Sequence, residues 1–484
     1  MSWQQRMLIG LVLLIAGWVD PLPEPKPTDD TVMRVTLPTA LQLARVRPID
    51  IILAGRRIEV AQAQLERAQV LWIPDLVVGF DYLRHDGRIQ RIDGDVITTS
   101  KSAIMAGAGP VAVFGLTDAI YSPLAAKQVV RGREAELQAT LNDTLYQIAD
   151  AYCVLQQARG ELAGALDTLE RIRDLERRVE KLAPGIVPEV EVSRVRAERV
   201  RREQEVERAK ERWEVSSAGL SAVLRLDGIS LLSPMEPPHL ILELVDTAQP
   251  ADEMREAARG MRPELGAQAA SIEASNMRLK QERARPFIPS ILLRGAATNP
   301  SGTLAGGVFG GGINDSLNDF AGRNSVDVQI LWEMKNLGMG NVALVRERKA
   351  QRELAEQELV KTRYQVDAEV MQSRSRSLRA KARYGQAEQG LRYARESAEK
   401  NLQGLGQLRR SGEMVALVFR PQEAVQALQA LSSAYNDFYL AVAERNRAQF
   451  QLYRALGNPA QAMEGPAEGT DRPEALPAPT PLAP

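Results

Sequence analysis

Apolar residues recur along this chain with two different periods, and the same succession of periods appears twice. Around Pro74, a helix-forming run from Ala61 to Val70 ends at Leu71-Trp72-Ile73-Pro74, and the apolar segment Leu76 to Leu83 follows at once. Around Pro289, the run Glu273 to Arg285 ends at Phe287-Ile288-Pro289, and Ser290 to Thr298 follows. Each unit continues into a Gly-bearing loop, a second strand-like run and a very long charged helix. A repeat of this kind sets the architecture before any local reading. The chain is predicted to be a duplicated helix–strand–strand–helix protein, mainly α with a small β part.

In the first half a helix is predicted from Pro38 to about Trp72, interrupted at Pro48. Pro38 stands in its first turn, where the missing N–H costs nothing. Strands are expected over Leu76 to Leu83 and about Ala103 to Phe114. Between them the polar stretch Arg84 to Ser102 carries two turn signals, Asp86-Gly87 and Asp93-Gly94. A helix then runs from about Asp118 to Ala183, with Pro123 near its start. Its apolar positions Leu137, Leu141, Leu145, Ile148, Tyr152, Leu155, Ala158, Leu162, Leu166, Leu169, Ile172, Leu175, Val179 and Leu182 alternate steps of three and four. That is the coiled-coil period of roughly 3.5. About 65 residues at 1.5 Å each make a rod of ~100 Å, longer than any globular core. At Ala183-Pro184-Gly185-Ile186-Val187-Pro188 the rod must turn, and a helix over about Glu189 to Leu226 runs back.

The second half follows the same plan. A helix covers about Ala251 to Arg285, with Pro263 after Arg262 as Pro48 stands after Arg47. Ser290 to Thr298 is a strand, the stretch to Asn324 a Gly-rich loop, and Ser325 to Met334 a strand whose alternation gives it two unlike faces. A long helix follows from about Asn341 to Arg410, where Tyr384, Ala387, Leu391, Ala394, Ala398, Leu402, Leu405 and Leu408 repeat the 3.5 period. A turn at Ser411-Gly412-Glu413-Met414 leads into a final helix to about Leu456, and Pro421 is expected to kink it.

Composition narrows the function classes. Aromatics are 5 % of residues, and Lys+Arg (61) cancel Asp+Glu (62), so no net field favours nucleic acid or an anionic surface. Cys153 is the only cysteine and reads as a small packing residue on the rod. With only His85 and His239, and no carboxylate pair placed in a cleft, there is no catalytic constellation; neither cofactor nor metal is expected. The cluster Gly306 to Gly312 lacks the Lys-Ser/Thr of a phosphate loop and reads as a loop. The basic stretch Arg194 to Arg202 is interleaved with Glu198 and followed by Glu203, Glu205 and Glu207, so it reads as a solvated helix face. The apolar run Met7 to Val19 follows Arg6 and is too short to span a bilayer; it fits a signal-peptide core. The expected organisation is a signal peptide over 1–19, a Pro-rich linker over 20–35, a first repeat over 36–232, a connector over 233–250, a second repeat over 251–460 and a disordered Pro/Ala-rich tail over 461–484.

Four short strands in one chain cannot close a barrel, and lipid does not tolerate open strand edges. Three chains contributing four strands each could close one. In this setting the sequence resembles the outer-membrane efflux protein family, the TolC-like trimeric channels. The resemblance is carried by Leu37-Pro-Thr-Ala-Leu-Gln-Leu-Ala44 and Arg262-Pro-Glu-Leu265 at the repeat openings and by the Pro74 and Pro289 junctions. It is carried further by Ile330-Leu-Trp-Glu-Met-Lys-Asn-Leu-Gly338, and by Ala218 to Leu224 and Ala448 to Gly457 at the repeat ends. It covers about residues 36 to 460. It implies a trimeric 12-stranded outer-membrane β-barrel continuous with a periplasmic α-helical tunnel. Such a duct serves tripartite efflux or type I secretion, opened by a periplasmic adaptor and driven by an inner-membrane transporter.

The resemblance also assigns sites. Gly185, Ile186, Val187 and Pro188, with Gly412, Glu413, Met414 and Val415, would be the helix tips that contact the adaptor. Pro188 and Val415 stand where the family commonly has Ser or Thr. The stretch Ala416 to Pro421 has no carboxylate, so an apolar periplasmic aperture at Val418 and Phe419, beside Pro421, is expected rather than an ion-binding one. Two other classes fit less of the chain. An adaptor has a single hairpin, and a coiled-coil scaffold leaves the strand at Val326 to Trp332 unexplained. If Val418 and Phe419 form the aperture, Val418→Asp with Phe419→Ser raises antibiotic or dye leakage; unchanged channel conductance in the double variant removes them from the gate.

Overall fold

A computed structural model of the chain describes residues 32–43, 48–73, 75–182, 187–226, 231–294, 306–313, 316–324, 327–405, 408–411, 414–417 and 420–458. After the short strand β1 (Met33–Val35) come helices α1 (Leu37–Leu43) and α2 (Ile49–Gln69), separated at Pro48, whose extended backbone starts α2. A single 3-10 turn, Val70–Trp72, leads to strand β2 (Asp75–Gln90), which pairs antiparallel with β3 (Val96–Gly115) over its whole length. Helix α3 (Leu116–Leu182) and helix α4 (Glu189–Leu224) form the first hairpin. Strand β4 (Leu232–Pro234) pairs in parallel with β1 and ties the start of the first half to its end.

The second half has α5 (Ala251–Met261) and α6 (Pro263–Ala284), broken where Arg262 is extended ahead of Pro263. Strands β5 (Ser290–Arg294), β6 (Gly306–Ile313), β7 (Asp319–Asn324) and β8 (Asp327–Leu331) follow, then helix α7 (Met339–Gly404). A β-hairpin, β9 (Leu408–Ser411) with β10 (Met414–Leu417), precedes the last helix α8 (Pro421–Ala455).

Helix α3 is the spine. Its 67 residues make a rod of ~100 Å, and α2, α4, α6 and α8 all pack along it. The predicted 3.5 stripe is its buried face: Leu145, Ile148, Tyr152, Leu155, Leu169, Ile172, Leu175 and Val179 are all buried. Leu166 departs from it and is exposed; the buried position there is Ala165, one residue earlier. Facing α8 the spine has two notches. A Cβ on Gly160 would lie 2.3 Å from Cδ1 of Tyr439, and one on Gly164 would lie 2.8 Å from Tyr435. Tyr435 and Tyr439 therefore seat their rings where α3 has no side chain, and the Tyr435 hydroxyl donates to Asp167 at 3.0 Å.

The connector over 231–250 is mostly irregular, so its backbone groups need partners from elsewhere. Asn446 of α8 accepts from Leu242 N–H (2.9 Å) and donates to Leu240 C=O (2.8 Å). Gln449, one turn on, accepts from Leu244 and Val245 N–H at 3.1 and 3.0 Å and donates to Ser377 of α7 at 2.9 Å. Gln156 of α3 donates to Pro237 C=O at 2.7 Å, and the Trp213 indole of α4 donates to Leu232 C=O at 2.8 Å. Amide side chains thus clamp the strap to both hairpins.

Several expectations are corrected. Residues 84–102 are mostly strand: β2 and β3 continue through them to a turn at Arg91–Asp95, where Arg91 N–H donates to Asp95 C=O at 2.7 Å. Of the two turn signals only Asp93-Gly94 turns, with Gly94 at φ +93°. Asp86 lies within β2 opposite Ser100, whose hydroxyl donates to it at 2.5 Å; cross-strand polar pairs sustain the ladder where no apolar face does. Gly306 to Gly312 are strand β6, not a loop. A Cβ on Gly310 would lie 2.2 Å from the Phe320 ring directly opposite, and one on Gly307 2.2 Å from Ala106 O, so glycine here admits close neighbours. Residues 33–35 are a strand rather than the end of a linker. The helix α7 stops at Gly404, six residues before the expected Arg410, and the chain reverses between Ser411 and Met414 as expected but with the strands β9 and β10 flanking the reversal. Pro421 opens α8 at its first position instead of kinking it, the place where its missing N–H removes no hydrogen bond.

Because the Gly160 notch is filled by the Tyr439 ring, Gly160→Ala overpacks the α3–α8 contact at a cost of about 1–3 kcal/mol. The thermal midpoint should fall, and adding Tyr439→Ala should make the two losses less than additive; strict additivity in that double-mutant cycle would mean the ring does not occupy the notch.

Candidate functional site

The strands join in four lanes. β2 lies beside β3; β5 and β6 both pair with the other side of β3; β8 and β7 pair with β5 and β6 in turn. β5 and β6 are two stretches of one lane: Gly115 to Val111 pair with β5 and Ala108 to Lys101 with β6. The outer lanes, β2 on one side and β7 with β8 on the other, each have one edge without a partner among the described residues.

Residues directly opposite in an antiparallel ladder share a face, so the register sorts the side chains. One face carries Phe114, Ile291 and Ile330 near the helices, then Ala106, Val308 and Phe80, then Ile104, Phe320 and Tyr82. Val78, Phe80, Val328 and Ile330 on it are 73, 68, 60 and 57 % exposed, so nothing among the described residues covers it. Beyond Tyr82 the same face turns polar with Arg84, Asp86, Arg88 and Gln90. From Phe114 to Ile104 the chain advances about ten residues, or ~33 Å at ~3.3 Å per residue. Tilted by ~40°, that band stands ~25 Å tall, the height of the apolar belt of an outer-membrane barrel. The other face mixes Asp81, His85, Lys101, Asp319 and Gln329 with Leu83 and Met105. At the rim where the sheet meets the helices, Trp72, Ile73, Phe287, Trp332 and Leu337 are all exposed. Asn336 and Leu337 hold left-handed backbone there (φ +53° and +58°), and Gly338 follows at +89° before α7 starts.

The far ends of the two hairpins come together. Val187 is buried in one cluster with Leu175, Val179, Val195, Ala398, Leu402, Leu405 and Ala424. Arg178 donates to Leu402 C=O at 3.1 Å, and Arg194 to Gln422 at 3.4 Å. Pro188 is the extended residue that starts α4, and Pro421 is buried at the start of α8. Met414 and Val415 lie on β10, opposite Ser411 and Arg410. Gly185, Ile186, Gly412, Glu413, Val418 and Phe419 lie outside the described residues.

In the stretch read as a solvated face, Arg194, Arg196 and Arg201 are exposed, but Glu198 and Arg202 are not, and they join the hairpins here. Glu198 is 3 % exposed; its carboxylate lies 2.9 Å from the Arg202 guanidinium and accepts from Gln429 of α8 at 2.8 Å. Arg202 also donates to Ser432 at 2.7 Å, while Arg196 and Arg199 reach back to Glu180 and Glu176 of α3 at 2.8 and 3.0 Å. The signal was available: Glu198 and Arg202 are one helical turn apart, and Val195, Ala209 and Val206 on the same helix are apolar and buried. Cys153 is buried, and burial pushes its thiol up to about 12, which leaves it a packing group. Among the described residues no cluster of three or more metal-ligating side chains occurs, and no helix is long and apolar enough to cross a membrane.

No protein-family model and no curated protein matches the sequence. Solved structures do match. The outer-membrane channel OprN superposes with a TM-score of 0.68 at 18 % identity, over 90 % of this chain and 95 % of that one. The outer-membrane protein VceC from Vibrio cholerae gives 0.65 at 18 % identity, over 87 % of this chain and 96 % of that one. The MtrE outer-membrane channel of Neisseria gonorrhoeae, in its open state, gives 0.66 at 16 % identity over 92 % and 98 %. Spine, paired hairpins and four-lane sheet together are therefore the fold of the outer-membrane channels, the one implied by the family that the sequence resembles.

Proposed function

We propose that this chain is the outer-membrane exit duct of an export system, working as a homotrimer with its helical part in the periplasm. The observation that carries the reading is the uncovered apolar band, ~25 Å tall, on a sheet whose two edges are unpaired among the described residues. Four lanes are too few to close, and open edges cannot face lipid. Three copies would supply 12 lanes, with the β2 edge of one copy meeting the β7–β8 edge of the next. The polar reach of β2 and β3 beyond Tyr82 would stand outside the lipid, and the rim of Trp72, Phe287 and Trp332 would sit at the inner membrane–water boundary. Helices α3 and α7, ~100 Å long, would enclose the path on the periplasmic side.

The duct lowers no chemical barrier; it offers a continuous aqueous path. Its partners would be a periplasmic adaptor and the inner-membrane transporter of a tripartite efflux pump or a type I secretion system. The adaptor would dock on the hairpin ends, on Gly185, Ile186, Val187 and Pro188 and on Gly412, Glu413, Met414 and Val415. Val418 and Phe419, next to the Pro421 start of α8, would form the apolar aperture. Opening requires an adaptor that binds the dilated form more tightly than the closed one.

Two measurements test this. The detergent-extracted protein should have the solution mass of three chains and appear in negative stain as a tapered tube; a monomeric or dimeric rod recovered without detergent would sink the proposal. The two sheet faces should also respond differently to charge. Phe80→Arg puts a cation in the apolar band at a cost of ~2–4 kcal/mol and should abolish heat-stable trimer in outer-membrane fractions. Asp81→Arg, one residue on and facing the other way, should leave it intact. Equal tolerance of both would mean the band does not face lipid.

A further inference from the structure

We propose that a cavity beneath the connector binds an apolar organic cation, of the size of a bicyclic aromatic ring carrying a short alkylammonium arm. The cavity has a volume of about 270 Å³ and lies where the connector, α1, α3 and α8 meet. Leu41, Leu242, Leu244 and Phe450 form its apolar wall, with Tyr152 and Glu236 on its polar side. An apolar cavity of ~150 Å³ accommodates benzene, so this one has room for a larger ring system.

Charge decides the class of ligand. Glu236 Oε1 accepts from the Leu37 N–H at 2.9 Å, and Oε2 accepts from the Tyr152 hydroxyl. Both donors are neutral: burial, with the neighbouring Glu236 carboxylate adding to it, pushes the Tyr152 hydroxyl well above its ordinary range and keeps its proton on. No Lys or Arg among the described residues pairs with Glu236, although ion pairs run along the helices on either side. A carboxylate offers about four acceptor positions, and two are taken. An anion set against an apolar wall, with acceptor positions left and no cation, is completed by an ammonium group, and charge-assisted hydrogen bonds are the stronger kind. An anionic ligand would be repelled, and a neutral ring would gain the wall alone.

All the lining residues belong to one chain, so the site does not rest on the channel reading. A bound cation would link the connector to α1, α3 and α8, and the folded protein should melt higher as ligand is added.

The probe is 2-(1-naphthyl)ethylammonium, titrated by calorimetry into the full-length protein in maltoside micelles, with neutral 1-ethylnaphthalene as the ring-only control. The expected result is one saturable site per chain for the cation, with the neutral ring at least tenfold weaker. Glu236→Gln should weaken the cation by about tenfold to a hundredfold, and Leu242→Trp, which fills the cavity, should abolish binding. The proposal is overturned if the wild type shows no saturable site, if cation and neutral ring bind equally, or if Glu236→Gln keeps wild-type affinity. Should Glu236→Gln fail to fold, survival of cation binding in a folded Leu242→Trp would overturn it equally.

Discussion

A helix ~100 Å long has no interior of its own, and everything in this protein is arranged around covering one. Each turn of α3 must be buried by a neighbour at its own level, because no single core reaches from one end to the other. Helices α2 and α6 serve the end near the sheet and α4 and α8 the hairpin, while the connector straps the level of Tyr152 and Gln156. In the contact with α8, Gly160 and Gly164 leave room for two tyrosine rings. The second long helix, α7, is covered mainly by α6, α8 and the short α5 and leaves Leu354, Tyr364 and Tyr393 exposed. Helix α3 is covered within the chain along most of its length, while α4, with Val190, Val200 and Val215 exposed, and α7 each present a face to whatever lies beside them.

The sheet has the same incompleteness in another form. Its hydrogen bonds are satisfied between lanes and left open at the two outer ones, and its apolar face is uncovered. In water both would be liabilities. The design keeps the apolar face to a band of membrane height that ends where Arg84 and Asp86 begin, while the β2 edge runs on to Gln90. The glycines of β6 belong to that design, since Gly310 lies under the Phe320 ring in a close-packed ladder.

Polar groups inside the helical part take two roles. Asn446, Gln449 and Gln156 satisfy connector backbone that has no regular partner, so their removal would leave buried N–H and C=O groups unpaired. Glu198, Arg202, Gln429 and Ser432 join the two hairpins near the ends where both chains turn. Glu236 belongs to neither group: among the described residues its carboxylate meets only neutral donors, beside an apolar cavity.

Period and punctuation made much of this legible in advance. The 3.5-residue stripe on α3, the breaks at Pro48 and Pro263, the strand starts just after Pro74 and Pro289 and the duplicated order of elements all follow from local chain chemistry, because apolar spacing and proline act within a few residues. The extent of the strands did not follow. Arg84 to Ser102 and Gly306 to Gly312 look like loops in isolation and become ladder only because a strand alongside supplies backbone hydrogen bonds. Likewise the sequence could not tell that Ala165 rather than Leu166 would be buried, that Glu198 would meet Gln429, or that Pro421 would begin a helix rather than bend one. Those outcomes depend on contacts between residues hundreds of positions apart or on where a neighbouring element stops. Periodicity determined which elements exist and in what order; only tertiary packing decided where they end, which charges are buried, and which face was left without cover.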